Sequence, residues 1–270
     1  MRSILISLIF VAGLYLLFVA LAYVFQRNLI YFPDQNLLSS QKLDERGFEA
    51  VEIASSSGAL ISLWRAPSDQ TKPIIIHFHG NAGSLAARLP LYQALAQDGA
   101  GVLAVGYPGY GGNIGAAAED AFYEAAQANY DWLVKQGFGA DRFVIAGQSL
   151  GSGVATWLAS ENEASGLILE AAFTGMDDMA QRQFPMLPAK LLIKDRYRSI
   201  DRIAGIDMPL SWIHGTGDEL IPFAMGQRLF DAAAEPKNAY PIKNGGHNDL
   251  WSRGIDVLIR KDAQYFVSRR

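Results

Sequence analysis

The chain begins with an unbroken apolar run. From Ile4 to Phe25, ILISLIFVAGLYLLFVALAYVF, no side chain is charged, and Arg2 and Arg27 bracket the stretch. About 20 apolar residues in a helix cross a hydrocarbon core, so the run is long enough to span a bilayer. Tyr15 and Tyr23 suit the interfacial zones. Two other readings compete. Ala20-Leu21-Ala22 has the small-x-small form of a secretory cleavage site, but the apolar run continues past it. A buried core helix would show a polar face, and none interrupts the run. The preferred expectation is a single-pass anchor over 1–26, a linker over 27–47 and one domain over 48–270. Basic residues are sparse at both ends of the run, and the domain is expected on the non-cytoplasmic side.

Beyond the anchor the pattern alternates between short apolar runs and longer amphipathic ones. FEAVEIASSSGALISLWRAP reads as two strands around the turn Ser55-Ser56-Ser57-Gly58. Ile74–Phe78 has no polar face apart from His77 and suits a strand buried on both sides. SLAARLPLYQALAQDG has helical spacing and a glycine stop at Gly99. GVLAVGYPGYGGNIG is a second buried strand running into a glycine-rich loop, and the helix AAAEDAFYEAAQANYDWLVKQG closes at Gly137. The strand DRFVIAGQS, the helix LGSGVATWLAS and the strand GLILEAAF follow. From about 173 to 205 no strand pattern is apparent, and Met, Phe, Leu and Pro mix with charges, as in a small helical insertion that reads as a lid. The rhythm then resumes with the strand MPLSWIHGTGD, a helix from about Pro222, the strand NAYPIKNGG and a last helix from about Asn248. Strands alternating with helices predict an α/β fold with a mostly parallel central sheet covered on both faces.

Composition narrows the chemistry. The net charge of -4 and the absence of a dense Lys/Arg run give no reason to expect nucleic acid. There is no cysteine, which excludes disulfides, thiolate metal sites and a cysteine nucleophile. Oligomeric state is not legible.

Open α/β sheets bind ligands beyond the carboxyl ends of their strands. At those ends stand His79-Gly80-Asn81-Ala82-Gly83, the loop 107–115, Gln148-Ser149-Leu150, Asp218 and His247. Gly147-Gln148-Ser149-Leu150-Gly151 matches G-x-S-x-G between a strand and a helix, the context that motif needs. A sharp turn there strains the serine backbone, and small neighbours at Gly147, Gly151 and Gly153 relieve the crowding. The plainer reading, a capping serine, needs no glycines on both sides. Serine is a weak nucleophile until a base takes its proton. Of the four histidines, His247 lies in the loop NGGHNDLW after the last strand, in the Ser…Asp/Glu…His order. His77, His79 and His214 read as structural. His77-x-His79 could face one side of a strand, yet it lacks the third ligand a metal site requires.

Asp218 is the preferred carboxylate to orient the imidazole, with Glu219 as fallback and Glu170 as the other topologically allowed acid. Asp249 follows the histidine too closely. An oxyanion needs donors, and the backbone amides of Leu150 and Asn81 are the candidates, with Ala82 next. Tyr107, Tyr110 and Phe173 are expected to wall the substrate pocket. No cofactor and no metal are implied.

HGNAG, GQSLG, the Asp218 strand end and GGH, in that order, resemble an α/β-hydrolase from about Phe48 to the C-terminus. The anchor followed by NLIYFPD, then HFHGNAG, GYPGYGG and GGHNDL, is similar to a subgroup of small membrane-tethered hydrolases. That subgroup includes enzymes that remove palmitate from protein cysteines. Members often carry Arg where Pro108 stands and an acidic residue or Asn where Gly106 stands. The resemblance implies hydrolysis of an ester or thioester, with acyl substrates and the membrane as partners.

Other readings compete with this one. GYPGYGGNIG does not complete the dinucleotide fingerprint, because Ile114 stands at the third glycine position. A non-catalytic binding protein of the same fold would be expected to lack one of the three groups, and none is missing. An amidase or peptidase would use the same groups.

Overall fold

The computed structural model describes residues 2–36, 39–56 and 58–269, so Ser57 of the predicted turn lies outside the described residues. Helix α1 (Arg2–Ile30) carries the apolar run and continues to Ile30. The strand β1 (Phe32–Pro33) and helix α2 (Ser40–Asp44) follow, so the segment expected as irregular linker is partly ordered. β1 pairs in parallel with β5 (Ala82–Gly83), which anchors the chain beside the loop after the first buried parallel strand.

Among the described residues, eight strands form the main sheet. They are β2 (Glu49–Ser55), β3 (Gly58–Arg65), β4 (Ile74–Phe78), β6 (Gly101–Ala104), β7 (Phe143–Gln148), β8 (Gly166–Glu170), β9 (Leu210–Gly215) and β10 (Lys237–Ile242). Their spatial order is β10-β9-β8-β7-β4-β6-β3-β2. β3 runs antiparallel to both its neighbours, and every other pair is parallel. Parallel strands need crossovers, here α3 (Leu89–Leu95), α4 (Glu119–Lys135), α5 (Leu150–Glu161) and α8 (Phe223–Ala232), while α9 (Ile255–Val267) closes the chain.

The all-apolar strands are what two covered faces require. Ile74, Ile76 and Phe78 of β4 pack into a core with Phe122 of α4 and Val154 and Leu158 of α5. Ile75 points the other way, to Tyr92 and Leu95 of α3 and Ile259 of α9. Each such side chain contributes about 1.5–3 kcal/mol when fully buried. The helix expected over SLAARLPLYQALAQDG is shorter than its periodicity suggested. It starts at Leu89 with Pro90 in the first turn, because proline lacks the N–H that a longer helix would use there. The last helix likewise starts late, at Ile255, after Gly254 in a left-handed conformation.

The insertion after β8 holds helices α6 (Met176–Gln183) and α7 (Ala189–Leu192) and two single 3-10 turns, Ser199–Asp201 and Ile203–Gly205. It leans on α1. Arg27 makes a bidentate pair with Asp195 at 2.9 and 3.0 Å, and Tyr31 and Tyr197 share a hydroxyl hydrogen bond of 2.9 Å.

Candidate active site

Ser149 sits where β7 turns into α5, with φ 51° and ψ −120°. A non-glycine residue at positive φ is strained, and such strain persists only where the surroundings hold it. The surroundings here are specific. The Ser149 N–H donates to the carbonyl of Glu170 at 2.9 Å, and its own carbonyl accepts from the N–H and hydroxyl of Ser152 at 2.8 and 2.6 Å. Gly151 lies so close to β4 that a Cβ there would overlap the carbonyl oxygen of Phe78. Any larger residue would push the new helix away from the strand and unmake the turn.

His247 and Asp218 arrive from two loops stitched together. Thr216 donates from its backbone to Ile242 at 3.0 Å and Gly217 to Gly245 at 2.9 Å. A Cβ on Gly215 would strike the carbonyl of Gly245, so the two loops approach only because glycine stands there. His247 Nδ1 lies 2.8 Å from Asp218 Oδ2 and Nε2 lies 3.0 Å from Ser149 Oγ. An ionised carboxylate only accepts, so Nδ1 carries the proton and Nε2 is left to accept from the serine hydroxyl.

The carboxylate is held in its charged form. Burial pushes the Asp218 carboxyl up, but hydrogen bonds from His214 and His247, and from the Ile221 backbone, outweigh it and leave the group well below the usual range. Its Oδ1 accepts from the N–H groups of Leu220 and Ile221 at 2.9 and 2.8 Å. His214 Nε2 stands 3.4 Å from Asp218 Oδ2 and 2.9 Å from the carbonyl of Ile221, which fixes the ring proton on that nitrogen. A supporting role for His214 was not legible in the sequence, where it read only as structural.

The other acids lie elsewhere. Glu219 is exposed. Glu170 is buried, and its carboxylate oxygens accept from Gln148 Nε2 at 2.8 Å and Trp251 Nε1 at 2.9 Å. Desolvation pushes it up to about 7, partly offset by those two donors. Asp249 accepts from the N–H of Gly246 and pairs with Arg253. His77 and His79 are buried, which pushes the first down to about 3 and the second well below its ordinary value, so both are neutral. Among the described residues, no group of three His, Asp or Glu side chains is placed to hold a metal.

Ser149, Leu150, Asn81 and Phe173 face a cavity of about 720 Å³. Phe173 lies on its wall. Tyr107 and Tyr110 do not, and that expectation is corrected. Both are buried on the far side of the Asn81 loop, beside a separate space of about 50 Å³. Tyr107 donates to the carbonyl of His79 at 3.1 Å and Tyr110 to that of Asn81 at 2.6 Å. They brace the loop from behind. The α1 side of the cavity was missed in the sequence reading: Phe18, Leu21, Phe25 and Leu29 line it, together with Met176, Met179 and Leu187 of the insertion expected as a lid. A helix that is apolar all round carries no periodic signal to betray such a face.

Residues 73–192 match the sequence profile of the α/β hydrolase fold. The chain is 35% identical over 227 residues to the uncharacterized protein Rv2307c of Mycobacterium tuberculosis, covering 83% of this chain and 81% of that one. It is 30% identical over 274 residues to the α/β hydrolase domain-containing protein WAV2 of Arabidopsis thaliana, covering 92% and 89%. The chain belongs to the α/β-hydrolase family. Lysophosphatidylserine lipase ABHD12 of Danio rerio is 32% identical to this hydrolase over 196 residues, 65% of this chain and 51% of that one. In fold it resembles the Pyrococcus furiosus esterase Pf2001, with a TM-score of 0.68 at 21% identity, covering 88% and 98%. Among the described residues of this hydrolase, α1 is the one helix long and apolar enough to cross a membrane.

Proposed function

We propose that this α/β hydrolase cleaves carboxylic ester or thioester bonds of acyl substrates through an acyl-enzyme on Ser149. The observation that carries the reading is the continuous hydrogen-bonded chain Asp218–His247–Ser149, ending at a strained serine that faces an apolar cavity. In the first step His247 Nε2 takes the hydroxyl proton as Oγ bonds to the substrate carbonyl carbon. The Asp218 carboxylate stabilises the imidazolium that results. The amides of Leu150 and Asn81 receive the negative charge on the carbonyl oxygen. Collapse of the adduct expels the alcohol or thiol, which takes the proton from His247. Water, deprotonated by the same imidazole, then releases the carboxylic acid and restores Ser149. Supporting observations are the apolar lining, which suits an acyl chain, and the lipase among the relatives.

We further propose that α1 anchors the enzyme in a bilayer and is not removed as a signal sequence. Tyr15 donates to the carbonyl of Met186 at 2.8 Å and Arg27 pairs with Asp195, contacts a shed leader would forfeit in part. The experiment is labelling by a fluorophosphonate followed by mass spectrometry of the modified peptide. The adduct is expected on Ser149, and Ser149→Ala is expected to abolish it. Labelling on any other residue, or persisting in that variant, refutes the assignment.

A further inference from the structure

We infer that the N-terminal helix is itself a wall of the acyl-binding site, so that a long acyl chain enters from the bilayer between α1 and the insertion. This rests on the serine-hydrolase reading above. Phe18, Leu21, Ala22, Phe25 and Leu29 line the cavity. Their spacing of three and four residues places them on one stripe of a helix. From Leu29 to Phe18 the stripe rises about 16 Å at 1.5 Å per residue. Its lower end runs into Ile30, whose carbonyl accepts from Asn81, and Asn81 and Ser149 line the same cavity; its upper end lies within the apolar run. The opposite wall is the insertion, through Met176, Met179 and Phe184.

The two walls are fastened at both ends. Tyr15 holds Met186 near the top, and Arg27 holds Asp195 near the bottom. Between them, Gln26 faces the cavity as the stripe's polar side chain, and it is engaged. Its Nε2 donates to the carbonyls of Tyr23 and Leu192 at 2.8 and 3.2 Å, and its Oε1 accepts from the N–H of Lys194 at 2.6 Å. With that amide satisfied, the cleft offers a chain almost only carbon. Met186 and Leu191, 80% and 81% exposed, continue the apolar surface on the insertion beside α1. A helix that crosses the bilayer brings this edge to the lipid, where apolar exposure carries no penalty. The carbonyl of an amphiphile can then reach Ser149 while its tail lies along α1, with no transfer of the tail through water.

The test uses the full chain in phosphatidylcholine nanodiscs and p-nitrophenyl acetate and palmitate as substrates. Ala22→Phe fills the cleft, whereas Ala20→Phe makes the same change on the exposed opposite face of the helix. Loss of contact with several methylenes is expected to lower the palmitate-to-acetate ratio of kcat/KM by about tenfold or more in the first variant. The second keeps the wild-type ratio. Equal shifts in both variants, or none in either while wild type hydrolyses both esters, overturn the inference and leave the serine hydrolase standing. A wild-type chain that hydrolyses neither overturns both. Wild-type chain labelled with a long-chain alkyl fluorophosphonate bearing a terminal diazirine gives a second readout that needs no variant. Photolysis is expected to cross-link its tail to α1 between Phe18 and Leu29, and cross-links confined to other elements refute the wall.

Discussion

The side-chain amide of Asn81 donates to the carbonyl oxygen of Ile30 at 2.9 Å, joining the loop that borders Ser149 to the last residue of the N-terminal helix. The same residue's carbonyl accepts from the N–H of Phe32 at 3.0 Å and from the Tyr110 hydroxyl at 2.6 Å. Helix end, strand β1 and the tyrosine behind the loop therefore fix one peptide from several directions. If the Asn81 N–H receives the oxyanion, that side chain is a positioning group acting through its own backbone. Replacement by alanine removes the tie but not the N–H. Asn81→Ala is expected to lower kcat on a p-nitrophenyl ester by about 10–100-fold with KM little changed, short of the roughly 10²–10³ lost with a whole oxyanion donor. Steady-state kinetics separate the two parameters, and a rise in KM at unchanged kcat would place Asn81 in substrate binding instead.

Two acids border the site, and they differ in what they touch. Asp218 bonds to the imidazole of His247, while Glu170 bonds to Gln148 and Trp251. Asp218→Asn offers the ring an amide in place of a pure acceptor and favours the wrong tautomer. A loss of about 10⁴ in kcat is expected, the scale seen when a triad carboxylate is neutralised. Glu170→Gln is expected to stay within about tenfold of wild type, since the change is not on the line of proton transfer. Esterase rates of the two purified variants decide the matter, and the reverse ranking would assign the acid to Glu170.

Much of this arrangement was readable in the chain. The buried parallel strands announced themselves as apolar runs, and strand ends located the loops that matter. G-x-S-x-G was informative because the glycines have a steric job, visible where Gly151 abuts Phe78. What escaped was whatever depends on long-range packing. Tyr107 and Tyr110 sit in a loop next to the site by sequence, yet their side chains turn behind the Asn81 loop, a choice set by Phe122, which stacks on Tyr107 at 4.1 Å between ring centres. The cavity-facing stripe of α1 escaped because the run from Ile4 to Phe25 carries no charged face to set one side apart from another. His214 escaped because a histidine near a strand end has many ordinary reasons to be there.

Gly151 offers a test of the elbow that does not depend on substrate. A methyl group there would meet backbone atoms of Phe78, which cannot swing aside as a flexible side chain could. Overpacking of this kind typically costs about 1–3 kcal/mol. For a domain of this size that corresponds to a fall of roughly 2–12 °C in thermal midpoint. Gly151→Ala is expected to show such a fall together with slower fluorophosphonate labelling of Ser149. Gly205→Ala, where open space surrounds the glycine, is expected to leave both close to wild type. Equal behaviour of the two variants would mean that β4 and α5 can separate without disturbing the serine.

Glu170 makes the pH dependence of stability a test of the buried polar cluster. Burial pushes its carboxyl up to about 7 in the fold, whereas an unfolded glutamate titrates near about 4.3. Between those values the folded state binds the proton and the unfolded state has released it. The stability contributed by this group then falls as pH rises through that window, and levels off above about 7. Asp218 contributes with the opposite sign, because its carboxyl is depressed, but that contribution is lost only as the pH falls below the ordinary carboxylate range. His77 and His79, held neutral by burial, add stability as pH rises to about 6.5, where unfolded histidines lose their protons, so only the comparison with a Glu170 variant, in which those contributions cancel, isolates Glu170. Glu170→Gln keeps a neutral group with one accepting oxygen and removes the titration. The thermal midpoint of wild type relative to Glu170→Gln is expected to drop steadily from pH 5 to 7 and then stay level. A difference that stays constant across the window would mean that Glu170 is ionised throughout, with Gln148 and Trp251 donating to a full carboxylate.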